Sequence, residues 1–235
     1  MGRISVGANT RVKLVIQSMS RVWGGNEKWL SIVAKGLSGR GHEVIVSCPS
    51  GKVRERLESM GIVVTGVRPR GGVDVVSGLS FALWLRYAHA DALLLTSWHS
   101  IAWSTLAARV AGVHKVVVRQ GIVRDFPGAS PRSYALRHGV TDVIVNSPEI
   151  RDVWARSTPE VAGRIHVVMN AVPSTRPKRN ELRARLRSEL GIGDSEILFG
   201  GAGNLFARKG FDVLLEAFAD ADIDGSRLAI VGDGY

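Results

Sequence analysis

Seven short runs of apolar, largely β-branched residues recur along the first 170 positions, and each is separated from the next by a stretch with helical spacing. The runs are Val12–Gln17, Glu43–Ser47, Val63–Val67, Ala92–Thr96, Lys115–Arg119, Asp142–Asn146 and Ile165–Met169. They are continuous rather than alternating, as expected of strands buried on both faces of a sheet. The intervening segments Asn26–Ser38, Ser77–Ala90, Ser100–Ala111, Pro131–Arg137 and Pro148–Ser157 read as helices. In the first of these, Leu30, Val33, Ala34 and Leu37 share a face, and Gly39 and Gly41 supply the stop. Strand–helix–strand alternation of this kind predicts an α/β fold with a doubly wound parallel sheet.

Composition changes after Met169. Residues 171–180, rich in proline and polar side chains, read as a linker between a domain over 1–170 and a second over 181–235. The second begins with a basic helix, Glu181–Leu190, stopped by Gly191. A strand at Ile197–Gly200, a glycine-rich turn, a helix from near Phe211 and a strand at Leu228–Val231 complete one strand–helix–strand unit.

Ligands of open α/β sheets bind beyond the carboxyl ends of the strands, so chemistry is expected at the turns there. Gly24 and Gly25 follow the first strand and open a helix. They let a phosphate or a sugar hydroxyl approach the backbone N–H groups at a positive helix end, or they form a plain turn. No G-x-G-x-x-G stands there, and no acidic residue ends the second strand, which argues against a nicotinamide dehydrogenase. His99 follows the fourth strand and reads either as a proton-transfer or hydroxyl-binding group or as a helix-start histidine. Arg119, followed by Gln120 and Gly121, is a forked clamp for phosphate or carboxylate, or a surface charge.

The turn Gly203–Gly210, GNLFARKG, can wrap backbone N–H groups and the ammonium of Lys209 around a diphosphate, with Arg208 beside it; the competing reading is an exposed basic turn. It is not a P-loop, since no G-K-[ST] is present.

The net charge is +10. Such a field favours anionic partners or serves solubility. The run Arg176–Arg187 has no interleaved aromatic residues, so base stacking and nucleic-acid binding are not expected. It reads as a solvated helix face, with attraction to an anionic membrane as a second use. A single cysteine, Cys48, leaves no disulfide framework and fits a reducing compartment. The amino terminus lacks a signal-peptide core, and the most apolar region, Ala92–Gly112, is too interrupted to span a membrane.

In their order along the chain, several of these segments resemble glycosyltransferase family 4, retaining enzymes of the GT-B fold. The resemblance lies in the loop Gly24-Gly25-Asn26-Glu27, the helix ending GRGHEV, and the segments DVIVNSPEIRDVW, IHVVMNAV and RARLRSELGI. It is most specific in GNLFARKGFDVLLEAF and LAIVGDG. It implies two Rossmann-like domains facing a cleft, the first binding a glycan or lipid-linked acceptor, the second a nucleotide-diphosphate sugar, with no metal required. It places Lys209 on the family's diphosphate-binding lysine, and Gly24 and Gly25 on the loop approaching phosphates and acceptor. The position usually held by arginine carries Asn204, with Arg208 close by. The histidine often found after the fifth strand is Gln120, and the usual Asn-Gly is Asn170-Ala171.

The family's donor-binding glutamate pair lies beyond the VGDG segment, and a full second domain needs about 100 residues or more. The chain is therefore expected to be truncated within its second domain. Two functions follow as expectations. One is retaining sugar transfer in cell-surface polysaccharide or glycoconjugate synthesis, in the cytoplasm or at the inner membrane face. The other is a non-catalytic fragment that binds an acceptor or partner.

Overall fold

The computed structural model describes residues 11–70, 74–123, 128, 130–171 and 178–234, the side chain of Arg208 excepted. Two compact units divide the chain between Ala171 and Val172. Residues 172–177 of the expected linker, and Arg176 of the basic run, lie outside the described residues.

In the first unit the order of elements is β1 Lys13–Gln17, α1 Gly25–Ser38, β2 Glu43–Ser47, α2 Lys52–Ser59, β3 Val63–Thr65, α3 Val75–Tyr87, β4 Ala92–Leu95, α4 Ile101–Ala111, β5 Lys115–Gln120, α5 Pro131–His138, β6 Asp142–Val145, α6 Pro148–Ser157, α7 Pro159–Ala162 and β7 Ile165–Val167. A one-turn 3-10 helix, Trp98–Ser100, joins β4 to α4. All seven expected strands form one parallel sheet, in the order β3-β2-β1-β4-β5-β6-β7. The order reverses between β1 and β4, which opens a crevice at their carboxyl ends.

Two apolar layers cover the sheet. Ile16, Val44, Val46 and Leu94 pack under Leu30 and Ala34 of α1 and Val53 and Leu57 of α2. On the other side Val15, Leu93, Leu95, Val116, Val118, Val143 and Val145 meet Phe81 and Leu85 of α3, Ile101 and Ala108 of α4, Leu136 of α5, and Ile150 and Trp154 of α6. Each fully buried side chain of this size contributes about 1.5–3 kcal/mol. β4 is buried at all four positions, in keeping with its continuous apolar sequence.

Serine caps and prolines start two of the helices. Ser130 Oγ accepts from Ser133 N at 3.2 Å and Ser147 Oγ from Ile150 N at 3.4 Å, with Pro131 and Pro148 at the first helical position. The structure adds two helices that the periodicity did not indicate, α2 and the single turn α7. It also shortens five strands: β1 starts at Lys13, and β3 ends at Thr65, β4 at Leu95, β6 at Val145 and β7 at Val167.

The second unit contains α8 Arg179–Glu189, β8 Ile197–Ala202, a 3-10 turn Ala207–Lys209, α9 Phe211–Ala221 and β9 Ser226–Val231. β8 and β9 pair in parallel from Ile197↔Ser226 to Ala202↔Val231. α8 is not wholly the solvated face expected of the basic run. Arg187 is buried, and its guanidinium donates to the carbonyls of Gly193 and Glu196, tying α8 to the start of β8.

Candidate functional site

In the first unit the site begins with Glu27, a carboxylate that is only 3% exposed. It sits in the first turn of α1, where negative charge is favoured. Its Oε2 accepts from the N–H of Gly24 at 3.2 Å, the helix-to-cap half of a capping box. Its Oε1 accepts from Ser18 Oγ at 3.3 Å and from Asn26 Nδ2 at 3.0 Å. Three donors from both ends of the loop after β1 thus converge on one carboxylate, and the loop between Ser18 and Asn26 is closed around it.

From Glu27 the chain of contacts continues across the sheet. Asn26 Nδ2 also reaches Thr96 Oγ1 at 3.4 Å, at the end of β4. Asn26 Oδ1 accepts from Arg119 at 2.8 Å. The second guanidinium nitrogen of Arg119 donates to Asn170 Oδ1 at 3.3 Å, and the group lies 4.2 Å from the centroid of the Trp29 ring. Met19 N donates to Ser97 Oγ at 2.8 Å, which links the loops after β1 and β4.

Arg119 therefore takes the half-buried position of a clamp rather than that of a surface charge. Burial lowers its pKa, and the Glu27 carboxylate opposes that shift. Its hydrogen bonds go to the neutral amides of Asn26 and Asn170, which hold the planar fork in place. Gly121 makes room for it, since a Cβ there would stand 2.7 Å from a guanidinium nitrogen.

Gly24 and Gly25 border the same crevice. The cap residue Gly24 is extended, at φ −147° and ψ −167°, a conformation open to any residue. A Cβ on Gly25 would meet nothing within 4 Å. Neither glycine is demanded by its own backbone or by a neighbour, so the space beside them is open to a ligand. Gln120 is buried, and its amide donates to the carbonyl of Ile122 at 2.8 Å. That bond occupies the group in shaping its own loop. His99 is exposed in the 3-10 turn after β4, while the polar connections from that loop run through Thr96 and Ser97.

The expectations placed Gly24, Gly25, Arg119, Gln120 and His99 at this edge, and all five lie there. Glu27, Asn26, Trp29, Thr96, Ser97 and Asn170 complete it. The glutamate three residues after the cap glycine was the one local signal for any of these.

In the second unit the glycine-rich turn leaves β8 at Gly203, whose N–H donates to Val231 O at 2.9 Å. Leu205 N donates to Asp233 O at 2.8 Å, so the turn and the end of β9 lie side by side. A Cβ on Gly232 would collide with the carbonyl of Gly203, so glycine at 232 is what allows this approach. Lys209 ends the 3-10 turn and is exposed, with its Cε 3.8 Å from where a Cβ on Gly203 would stand. The lysine thus folds back over the mouth of the turn. Gly210, at φ +66°, caps α9, whose first-turn N–H groups have no partner within the helix. Asn204 is half-buried within the turn, and the side chain of Arg208 lies outside the description. Among the described residues no cluster of three His, Cys, Asp or Glu side chains can hold a metal ion.

Known proteins share this architecture. Residues 23–176 match the profile of Glycosyltransferase Family 4. A glycosyltransferase from Rickettsia africae superposes with a TM-score of 0.78 at 18% identity, over 96% of this chain and 61% of its own. Anabaena Alr3699/HepE, solved with UDP and glucose, gives a TM-score of 0.73 at 20% identity, over 96% and 62%. The lipopolysaccharide outer core galactosyltransferase WaaB gives 0.60 at 16%, over 94% and 61%. The chain thus spans about three fifths of the length of these structures. At such identities the likeness establishes the GT-B type of fold. A search of curated proteins gives no significant match. Since the profile covers most of the doubly wound unit, from the Gly24 loop to beyond Asn170, the chain belongs to glycosyltransferase family 4.

Proposed function

We propose that the protein transfers a sugar from a nucleotide-diphosphate sugar to a glycan or lipid-linked acceptor, with retention, in the synthesis of cell-surface polysaccharide or glycoconjugate. The observation that carries this reading is the Glu27–Asn26–Arg119 chain. It holds a cationic fork and two open glycines at the switch point of the sheet, without neutralising the fork. That arrangement suits a substrate that brings its own negative charge or hydroxyl groups.

Each unit is assigned one part. The first takes the acceptor, with Arg119, Gln120 and exposed His99 along its edge, while Gly24 and Gly25 let a phosphate approach the backbone N–H groups at the start of α1. The second takes the diphosphate, on the N–H groups at the start of α9, Lys209 and Arg208. As the glycosidic bond breaks, charge grows on the leaving diphosphate, and fixed positive groups stabilise it at no reorganisation cost. No metal is required for this step. UDP-glucose bound in the Anabaena relative supports a UDP-sugar as the donor. We place the enzyme in the cytoplasm or at the inner membrane face.

Isothermal titration with UDP- and GDP-sugars tests the assignment. Submillimolar binding that Lys209→Ala removes is the expected result. A folded protein that binds no nucleotide-sugar would refute sugar transfer by this chain. Acceptor binding alone is the second reading. It is favoured by Gln120, whose carboxamide cannot move a proton and is already bonded to Ile122.

A further inference from the structure

A second group of cations stands apart from the Arg119 chain, at the carboxyl ends of β1, β2 and β3. Arg21 lies in the loop after β1, Arg54 and Arg56 in α2, and Arg68 and Arg70 in the segment between β3 and α3. The three strands are neighbours in the sheet, so these segments emerge side by side. Two guanidinium groups meet at Gly66. Arg68 Nη1 donates to its carbonyl at 3.1 Å, and a Cβ placed on it would stand 3.2 Å from Arg54 Nη1. The Arg56 guanidinium lies 4.3 Å from the centroid of the Trp23 ring, one residue before Gly24.

Carboxylates balance only part of this group. Among the described residues Arg54 alone of the five forms an ion pair, with Glu58 at 2.8 Å. Arg70 senses the carboxylate of Asp74, which is committed to capping α3. Arg68 is the least satisfied, since its Nε is buried without a hydrogen-bond partner. Burial lowers its pKa, and the like charges of Arg21 and Arg70 lower it further. A buried donor among like charges costs stability unless an anion reaches it. The segment that carries it is tied down on both sides. Ser47 Oγ donates to Val67 O at 2.7 Å, and Arg70 N donates to Ser77 Oγ at 2.9 Å. The fork of Arg68 is thus held in place before a ligand arrives.

We propose that Arg21, Arg54, Arg68 and Arg70 bind a phosphate carried by the acceptor, so that the acceptor is a sugar phosphate or a glycan joined through phosphate. Phosphate suits the site better than a carboxylate, because several guanidinium forks can share the oxygens of one dianion. The site lies entirely within the first unit and is distinct from the diphosphate site assigned to Lys209 and Arg208. It deepens the reading of that unit as the acceptor-binding one, and rests on it. The same chemistry serves a phosphate that links the sugar to a lipid and a phosphate ester on a soluble glycan.

Isothermal titration of the full chain with α-glucose 1-phosphate tests it, with saturating UDP present to fill the site of the second unit. Saturable binding is expected, weaker as salt is raised, and none with glucose. Arg68→Gln with Arg70→Gln should weaken it about tenfold with the circular dichroism unchanged. Arg21→Gln, at an exposed position, should weaken it about threefold. Arg183→Gln with Arg185→Gln, on exposed positions of α8, should change nothing. The proposal is overturned by absence of binding, by equal binding of glucose or glucuronate, by binding that neither arginine variant weakens, or by an equal loss in the α8 variant. Displacement of the sugar phosphate by geranyl phosphate would assign the phosphate to a lipid-linked acceptor, and its failure to a soluble one. Titration with UDP-glucose separates this site from sugar transfer. A parent protein that binds UDP-glucose but not glucose 1-phosphate overturns only the arginine site. One that binds glucose 1-phosphate but not UDP-glucose refutes transfer and leaves the phosphate site standing.

Discussion

Arg119, at the end of β5, donates to Asn26 Oδ1 in the first turn of α1 at 2.8 Å, 93 positions away in the sequence. Asn26 turns its other side to Glu27, so the asparagine is a neutral spacer between a guanidinium and a buried carboxylate. The spacer keeps the two charges from pairing directly. The loop is closed by the glutamate and the fork remains available.

Glu27→Gln is expected to destabilise the first unit by about 2 kcal/mol. A carboxylate accepts from Ser18, Gly24 and Asn26 at once. The carboxamide has one acceptor oxygen and turns an NH2 group toward a donor. Urea unfolding would measure the change, and a midpoint unmoved from the parent would show that the carboxylate does not hold the loop.

Arg119→Lys is expected to lower kcat/KM for sugar transfer by about tenfold, a loss near 1.4 kcal/mol. One ammonium does not bridge Asn26 and Asn170 while covering the Trp29 ring. Gly121→Ala should act in the same direction, because its methyl group takes the space of the guanidinium. Steady-state kinetics on both variants decide it, and full activity in both would remove Arg119 from the site.

Cys48 is fully buried at the end of β2, and burial pushes its thiol up to about 11 against the pull of Arg54 and Arg68. At pH 8 the native protein should react with a thiol reagent only as fast as it opens. One thiol should appear at once in denaturant. Rapid labelling of the folded chain would contradict this burial.

Asp142 should shape the acid limb of stability. Burial pushes its carboxyl upward, but hydrogen bonds from Lys115, Thr141 and His166 outweigh that and hold it below the usual carboxylate range. Lys115 Nζ is 2.6 Å and His166 Nε2 3.0 Å from the carboxylate. A depressed folded pKa gives stability that is complete above the unfolded value, near 4, and is lost as pH falls through the folded value. With Lys115 largely in solvent, the contribution is about 1 kcal/mol or less. In Asp142→Asn that part of the acid dependence should vanish. Thermal melts between pH 2 and pH 6 that run parallel for the two proteins would rule it out.

The second unit should exchange its amides faster than the first. α9 has no buried residue, and Leu182, Leu186, Val213 and Leu215 are exposed. Hydrogen exchange over 197–231 is expected to exceed that of the β1, β4 and β5 strands. Gly232→Ala should raise it further at 203–205, at a cost of about 2 kcal/mol, by parting the turn from β9. Equal protection in both units would refute the first expectation.

The strands were legible because burial on both sheet faces requires continuous apolar runs, and such runs need no partner to be seen. α2 was not legible: KVRERLES offers only Val53 and Leu57 to the core, too few to mark a period. Arg187 read as one charge among many until the carbonyls of Gly193 and Glu196 were found around it. For the site, the sequence pointed to the strand ends and to Gly24, Gly25 and Arg119, since glycine and arginine carry their chemistry locally.

By itself, then, the sequence determined the parallel α/β architecture, the seven strands of its first unit and the family to which it is similar. Only the tertiary structure decided that Arg119 is spaced from Glu27 by Asn26 and fixed by Asn170. The physical reason is range. Strand and helix signals are set by residues within a few positions of each other. The partners of the Arg119 guanidinium lie 93 and 51 positions away from it in the sequence, and only the folded sheet brings them into contact.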